Sequence, residues 1–443
     1  MVEKPIQQIV IENFGSCNMR CTYCFPEHMW QREGRFSAMP EEMYRGILER
    51  MFPQISSSSI DIHIAGGEPL LAGQSWLEMA FCVAREIADR YNKQVTFSLQ
   101  TNATLVTPEL AQFLAKNRVT VGVSLDGSTE INELTRGKTD RILKGFELLR
   151  EATGRSPGVI VTVTSCNARR MREVVDYLDN LGVVLFRANQ MGATASWNKH
   201  VAPNAEDWFI ARRDIFEEIA IRRGRIMEVN LGSTISKLVR TLLKDSSPFN
   251  AGYGCCDMRC SAGHQLMYFD QKGNAYPCPR ANVTSEAQIG HYAEDNFENL
   301  WNKAIQQLDA VMANIPSSCL RCPAQLACDY GCHAFNTTQG NFFEVNCDAT
   351  KDYFQWLTSN FEGVARVFFY TIWREQLKTS DNYAGLQKGV DVLPEIVSNL
   401  AVQLHQKLSE QIIQQDLMPE TLKKRYSVQN EEIYFTHTSK LEV

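Results

Sequence analysis

Cys17, Cys21 and Cys24 are separated by three and then two residues in the run Cys17-Asn18-Met19-Arg20-Cys21-Thr22-Tyr23-Cys24. Three thiolates at this spacing can ligate three irons of a 4Fe–4S cluster and leave the fourth iron without a protein ligand. An iron exposed in this way can bind a small molecule and pass it an electron. A structural zinc site is the competing chemistry, and it needs a fourth ligand at fixed spacing. His28 follows Cys24 too closely to complete a tetrahedron comfortably. The spacing favours the cluster.

A second array lies in the other half of the chain: Cys255, Cys256, Cys260, Cys278, Cys319, Cys322, Cys328, Cys332 and Cys347. After Cys319 the gaps are two, five, three and fourteen residues, and Gly273 and Tyr276-Pro277 precede Cys278. Cys319, Cys322, Cys328 and Cys332 could alternatively close one tetrahedral zinc. Cys255 and Cys256 are adjacent, so in an extended chain they point to opposite sides and only one readily joins a given cluster. Of the two cysteines outside both arrays, Cys82 falls in an apolar helical pattern and is expected in the core. Cys166, just past a strand, is expected as a small buried filler rather than a functional thiol.

Composition restricts the setting. The 443 residues carry 45 Lys and Arg against 51 Asp and Glu, a net charge of −6 that argues against non-specific nucleic-acid binding. No secretory signal and no apolar run of membrane-spanning length is visible, so a cytoplasmic protein is expected. Fourteen cysteines in that compartment read as metal ligands rather than disulfides.

The first half has to position the thiols, and it reads as repeated β-α units. Apolar, β-branched runs at 8–12, 60–64, 95–99, 119–124, 159–164 and 183–188 alternate with helical patterns at 40–51, 75–91, 108–117, 140–151 and 168–181. Pro40 and Pro108 suit first-turn positions, and Thr107 and Asn167 suit N-caps. Such alternation implies right-handed crossovers and a parallel sheet. Six units predict an α/β fold, a partial (β/α)6 TIM-like barrel, with chemistry at the carboxyl ends of the strands. Those ends carry Gly66, Gly67, Glu68 and Pro69 after the second strand, Gln100-Thr101-Asn102 after the third, and Ser124-Leu125-Asp126-Gly127 after the fourth. The glycines allow close backbone approach to a ligand, and Glu68 offers a carboxylate to an ammonium.

The Cys17-x3-Cys21-x2-Cys24 motif and the Gly66-Gly67-Glu68-Pro69 stretch resemble the radical S-adenosylmethionine (radical SAM) superfamily. The second array resembles its SPASM domain, which houses two auxiliary clusters in enzymes that modify peptides and proteins. The resemblance covers residues 7 to 350. It implies three 4Fe–4S clusters and S-adenosylmethionine as cofactors, with reductive cleavage to a 5′-deoxyadenosyl radical. It places Tyr23 near adenine, the stretch from Gly66 to Pro69 at the methionyl amine, Asn102 at the cofactor, Ser124 at the ribose and Arg136 toward the methionyl carboxylate. Asp126 either joins these contacts or caps the next segment. The first auxiliary cluster takes Cys260, Cys278 and Cys332 with Cys255 or Cys256, Cys255 being favoured. The second takes Cys319, Cys322, Cys328 and Cys347.

The resemblance implies domains at 1–225 (barrel), 226–254 (helical bridge), 255–350 (SPASM) and 351–443 (helical extension). Apolar residues Val364, Val367, Phe368, Ile372, Leu393, Ile396, Leu400, Leu404, Leu408 and Ile412 give that extension helical periodicity, read as a buttress. Residues 381–385 read as a loop within it, and 431–436 as a short strand or an end without structure. Segment 191–204 reads as a lid or bridge, and 205–225 as a helix leading to the SPASM region. Arg187, Asn189 and Gln190 are candidates for a substrate channel by position alone.

For substrate, sulfatase-maturing relatives place an aspartate base directly after the second auxiliary cysteine, whereas this chain has Cys278-Pro279-Arg280. The expectation is therefore a maturase acting on a ribosomally made precursor peptide by cross-linking, epimerisation or backbone excision. A formylglycine-forming sulfatase maturase and a SAM-binding electron carrier or sensor are the alternatives. The early first strand leaves no room for an N-terminal recognition domain, so a separate leader-recognition protein, the core or the tail is expected to bind the leader. A reductase, flavodoxin or ferredoxin is expected as electron donor.

Overall fold

The computed structural model describes residues 5–24, 37–191, 200–244, 261–283, 287–313, 347–377 and 383–414, together with 316, 319, 322, 324 and 328. Six parallel strands form its centre: β1 (Gln8–Phe14), β2 (Ser59–Gly66), β3 (Gln94–Thr101), β4 (Thr120–Ser124), β5 (Gly158–Val163) and β6 (Leu185–Gln190). They stand side by side in chain order, as the alternating pattern requires. Helices α1 (Glu41–Met51), α2 (Gln74–Arg90), α3 (Pro108–Lys116), α4 (Thr129–Thr135), α5 (Thr139–Thr153) and α6 (Met171–Asn180) make the crossovers. The seven-residue α4 had no counterpart in the periodicity, being too short to show one.

Local chemistry sets the boundaries. Thr107 caps α3 by accepting from the Leu110 amide at 3.2 Å, with Pro108 in the first turn. Asn167 does not act as the expected cap. Its Oδ1 accepts from the Thr164 amide and its Nδ2 donates to the Thr162 carbonyl, which folds the chain back onto the end of β5.

The sheet continues past both ends of the six-strand unit. On one side β7 (Met227–Glu228) pairs in parallel with β6, after α7 (Ala205–Ile221) and before α8 (Val229–Leu243). On the other side β8 (Leu266–Phe269) pairs in parallel with β1, followed by antiparallel β9 (Asn274–Tyr276) and β10 (Gly290–His291). The strands leading to Cys278 are thus extensions of the barrel sheet itself. Helix α9 (Phe297–Ala313) follows.

The C-terminal helices α10 (Cys347–Thr358), α11 (Phe361–Leu377) and α12 (Pro394–Gln414) pack on α7 and α8. Buried Arg374 donates to the carbonyls of Gly224, Arg225 and Val184, tying α11 to the entry of β6. The buttress reading is borne out here. Leu393 and Ile396, however, are exposed, while Val397, Leu400, Ala401 and Leu404 carry the burial. Tyr383–Leu386 is a single helical turn where a loop was expected. The expected segment 431–436 and most of 191–204 lie outside the described residues. No described helix is long and apolar enough to cross a membrane.

The two faces of the strands differ in a way that decides the interior. The outward positions Ile60, Ile62, Ile64, Val121, Val123, Val159, Val161 and Val163 are buried under helices. The inward positions include Asp61, His63, Thr96, Ser98, Gln100, Ser124, Thr162, Arg187 and Asn189, most of them half-buried. A closed barrel fills its lumen with branched apolar side chains. This one is lined with polar groups, so its interior is a polar cleft rather than a second apolar core.

Candidate active site

The cysteine loop leaves β1 and is fastened at three points to the carboxyl ends of neighbouring strands. The first is Gly67. A Cβ there would come within 2.2 Å of the Ser16 carbonyl oxygen, and the Glu68 amide donates to that same oxygen at 2.8 Å. The second glycine is thus required for the strand end to dock against the cysteine loop. Gly66, at φ 145°, turns the chain into that contact.

The second point is Asn102. Its Nδ2 donates to Asn18 Oδ1 at 2.8 Å and lies 3.6 Å from Cys17 Sγ, which also faces the Met19 amide at 3.4 Å. N–H groups directed at a cluster sulfur tune its potential. Burial pushes the Cys17 thiol up, and these donors oppose it. Asn18 in turn donates to Thr104 at 2.8 Å, and Lys138 donates to the Asn18 carbonyl at 2.5 Å. Asn18, Thr104 and Lys138 were not singled out in the sequence, because isolated polar loop residues carry no periodic signal.

The third point is Asp126. Its carboxylate accepts from Tyr23 Oη (2.8 Å), Thr135 Oγ1 (2.9 Å), Arg136 Nη2 (2.9 Å) and the Thr162 amide (2.8 Å). It is fully buried. Asp126 caps no helix, and four donors from the chain meet its carboxylate. Arg136 stacks over the Tyr23 ring at 5.4 Å and is 8% exposed. Burial opposes its charge, yet Asp126 beside it holds the guanidinium firmly protonated. The Tyr23 hydroxyl is pushed well up by burial.

Glu68 is engaged by the chain in a similar way. Its carboxylate accepts from Thr101 Oγ1 and the Asn102 amide at 2.7 Å and from the Leu70 amide at 3.0 Å. At 1% exposure it brackets β2 to β3, and burial raises it to about 7. Pro69 is buried at the start of a 3-10 turn, with its carbonyl taken by Asn13. Ser124 faces the cleft and accepts from Gln100 Nε2 at 2.8 Å. Gly122 leaves the space through which the Gln100 amide crosses, since a Cβ there would meet Gln100 Oε1 at 2.3 Å.

The chain's residues fit the implied cofactors at one open valence in particular. Arg136 Nε is buried and has no hydrogen-bond partner among the described residues. A carboxylate arriving beside the cysteine loop would satisfy it. Cys17 and Cys21 act electrostatically on each other, and the Cys24 amide donates to the Cys21 carbonyl, which curls the loop. Among the described residues no three His, Cys, Asp or Glu side chains form a compact metal cage. The ligand assignment therefore rests on motif spacing and on these loop contacts.

In the second array, Cys278 is buried beside β8 and β9, and Cys319, Cys322, Cys328 and Cys347 are half-buried. The Cys322 amide donates to the Cys319 carbonyl, and the Cys328 amide to that of Ala324. Burial would lower the Lys351 ammonium, but Cys347, then Asp348 and Cys322, raise it. Cys255, Cys256, Cys260 and Cys332 lie outside the described residues. The two remaining cysteines correct their expectations: Cys82 is exposed on α2, and Cys166 is exposed after β5. Phe81 and Val83 take the buried side of α2 that Cys82 was expected to share.

Comparison with known proteins agrees with this geometry. Residues 14–178 match the profile of the radical SAM superfamily, and residues 260–323 match that of the SPASM iron-sulfur cluster-binding domain. The cysteine-type anaerobic sulfatase-maturating enzyme of Clostridium perfringens is 22% identical over 373 residues, covering 80% of this chain and 96% of the relative. The serine-type enzyme of Klebsiella aerogenes is 23% identical over 338 residues, covering 74% and 79%. Among solved structures, anSMEcpe with bound AdoMet superposes with a TM-score of 0.65 at 21% identity, over 85% of this chain and all of that one. Streptococcus suis SuiB bound to its precursor peptide SuiA gives 0.57 at 17% identity, over 78% and 76%. These two likenesses establish a shared fold. Residues 14–178 are thus a radical SAM domain and residues 260–323 a SPASM iron–sulfur domain, which makes the chain a radical SAM enzyme.

Proposed function

We propose that this enzyme is a maturase of a ribosomally made precursor peptide. The observation that carries the reading is Pro279, which follows Cys278 at the start of a 3-10 turn where a sulfatase-type enzyme needs its aspartate base. The polar cleft supports it, because a peptide segment brings amide and side-chain polar groups that require hydrogen-bonding walls. SuiB, which shares the fold, is bound to a precursor peptide.

In this reading Cys17, Cys21 and Cys24 hold the SAM-binding cluster. Arg136 Nε and the backbone at Gly66 and Gly67 receive the methionyl group, Ser124 the ribose, and Tyr23 the adenine side. When bound, the cluster and S-adenosylmethionine supply a single electron and a radical able to abstract hydrogen from an unactivated carbon. Asp126 keeps Tyr23 and Arg136 in place, and Asn102 and Gly67 hold the cysteine loop against the strand ends. The second array would hold two further four-iron clusters, for three in all. The separate leader-recognition protein and the external electron donor belong to this proposal.

Sulfatase maturation is the second reading, favoured by the length over which those relatives align. Anaerobic incubation of the reconstituted enzyme with dithionite, SAM and either a candidate precursor or a sulfatase peptide tests both. A mass-shifted precursor formed together with 5′-deoxyadenosine is expected. Formylglycine on the sulfatase peptide would transfer the assignment to the second reading.

A further inference from the structure

The inner wall of the barrel carries a guanidinium whose N–H groups have no acceptor among the described residues. Arg187 on β6 pairs in register with Ile160, so it shares the inward side with Ser124 and Thr162. It is half-buried, and among the described residues no hydrogen-bond acceptor holds it; the buried Glu228 carboxylate on β7 feels its charge, but that carboxylate accepts from the Ala188 and Leu231 amides. The contrast with other arginines is sharp. Arg172, Arg222 and Arg225 are each gripped by acids on α6 and α7.

Arg187 faces the opposite wall of the cleft. Strands β2 and β6 stand four places apart in the sheet, which in a flat sheet would be about 19 Å. A charge that far off in water is largely screened. The Arg187 charge nevertheless acts on the His63 ring of β2, adding to the larger effect of burial in disfavouring its protonation, while Asp61 opposes both. Curling the six strands into a partial barrel sets these walls opposite each other.

Asp61 is already engaged and cannot serve as the partner. It accepts from Ser98 Oγ (2.6 Å), Gln8 Nε2 (2.9 Å) and Thr96 Oγ1 (3.2 Å). Since the single Ser98 proton goes to Asp61, His63 Nδ1, at 2.8 Å from Ser98, must carry its own proton. The wall facing Arg187 is thus a hydrogen-bonded set whose one negative charge is already saturated. Guanidinium N–H groups left without an acceptor in a half-buried position are costly, and their geometry suits a carboxylate in particular.

We propose that Arg187 anchors a carboxylate subsite in the cleft, taking an acidic side chain or a free C-terminal carboxylate of the peptide substrate. This deepens the maturase reading and rests on a peptide occupying the cleft. The class of substrate it selects is a peptide with one carboxylate placed to reach β6 as the reacting residue sits beneath the cysteine loop.

The test uses the full-length, cluster-reconstituted enzyme and three probes in saturation-transfer NMR titrations. These are capped Gly-Gly-Asp-Gly-Gly, its Asn counterpart, and an N-capped pentaglycine with a free C-terminal acid. Wild type should bind at least one carboxylate probe roughly tenfold tighter than the Asn peptide, the scale of one charge-assisted pair. Preference for the Asp probe identifies a side chain, and preference for the free acid identifies a C terminus. Arg187→Gln should abolish the preference with iron content and melting temperature unchanged. Arg187→Lys should retain part of it, and it carries the test should the Gln variant fail to fold. Equal binding of acidic and neutral probes by wild type, or a preference that survives in Arg187→Gln, overturns the subsite. A precursor processed by an enzyme with no carboxylate preference sinks the subsite alone. A preserved preference without any peptide processing sinks the maturase reading alone.

Discussion

The Tyr23 hydroxyl donates a 2.8 Å hydrogen bond to the Asp126 carboxylate, joining the middle of the cysteine loop to the end of β4 across 103 residues of chain. Thr135, Arg136 and the Thr162 amide meet the same carboxylate, so one buried acid fixes the loop against β4, α4 and β5. Asp126→Ala should be severe, because it leaves Arg136 buried without its counter-charge. A loss of about 3–5 kcal/mol is expected in urea unfolding. Tyr23→Phe removes one donor and should cost only about 1 kcal/mol. Equal effects of the two substitutions would show that Asp126 is not the hub.

The two cysteine arrays should separate by iron count and chemistry. Reconstituted wild type should hold about twelve irons, and Cys21→Ala about eight with no SAM cleavage. Cys322→Ala should also lose about four irons yet retain some cleavage without productive turnover. SAM cleavage persisting in Cys21→Ala would invalidate the assignment of the first array.

Gly67→Ala tests the docking of β2 against the cysteine loop. The added methyl would meet the Ser16 carbonyl at 2.2 Å, and backbone cannot swing aside as a side chain can. Destabilisation of about 1–3 kcal/mol is expected, along with impaired retention of the first cluster. Iron analysis of the variant beside its melting temperature checks this. Unchanged values in both would mean that the loop and strand end move independently.

Glu68 gives the fold a pH dependence of definite sign. Burial raises its carboxyl from 4.5 to about 7, so the folded chain holds a proton that the unfolded chain has released between those values. The stabilisation is complete below pH 4.5 and fades as pH rises toward 7, by at most about 3 kcal/mol. Urea midpoints for wild type should therefore fall between pH 5 and 7.5, and Glu68→Gln should flatten that slope. A midpoint rising over this interval in wild type, with no change of slope in Glu68→Gln, would show that the carboxyl stays ionised throughout.

The parallel order of β1 to β6, the cap at Thr107, the α7 helix and the buttress helices were legible because each rests on periodicity or on local hydrogen bonding. The continuation of the sheet through β7 and β8 was not, since two- and four-residue strands are too short to carry a pattern and pair only with distant partners. Cys82 and Cys166 were misplaced for a related reason. Helical periodicity locates an apolar face but tolerates one small thiol on either side of it.

By itself the sequence determined the chemistry: thiol spacing sets how many irons can be held, and strand alternation sets where the loops emerge. Tertiary structure alone decided which polar residues remain available. Glu68 and Asp126 are isolated acids in one dimension, and only folding brings backbone amides and hydroxyls from other strands to their carboxylates. Arg187 looked like one channel candidate among several, and only the curled sheet sets it on the wall opposite His63 with no hydrogen-bond acceptor among the described residues. Whether a charge is spent or free depends on groups brought together by folding, and residue types in linear order do not contain that distance.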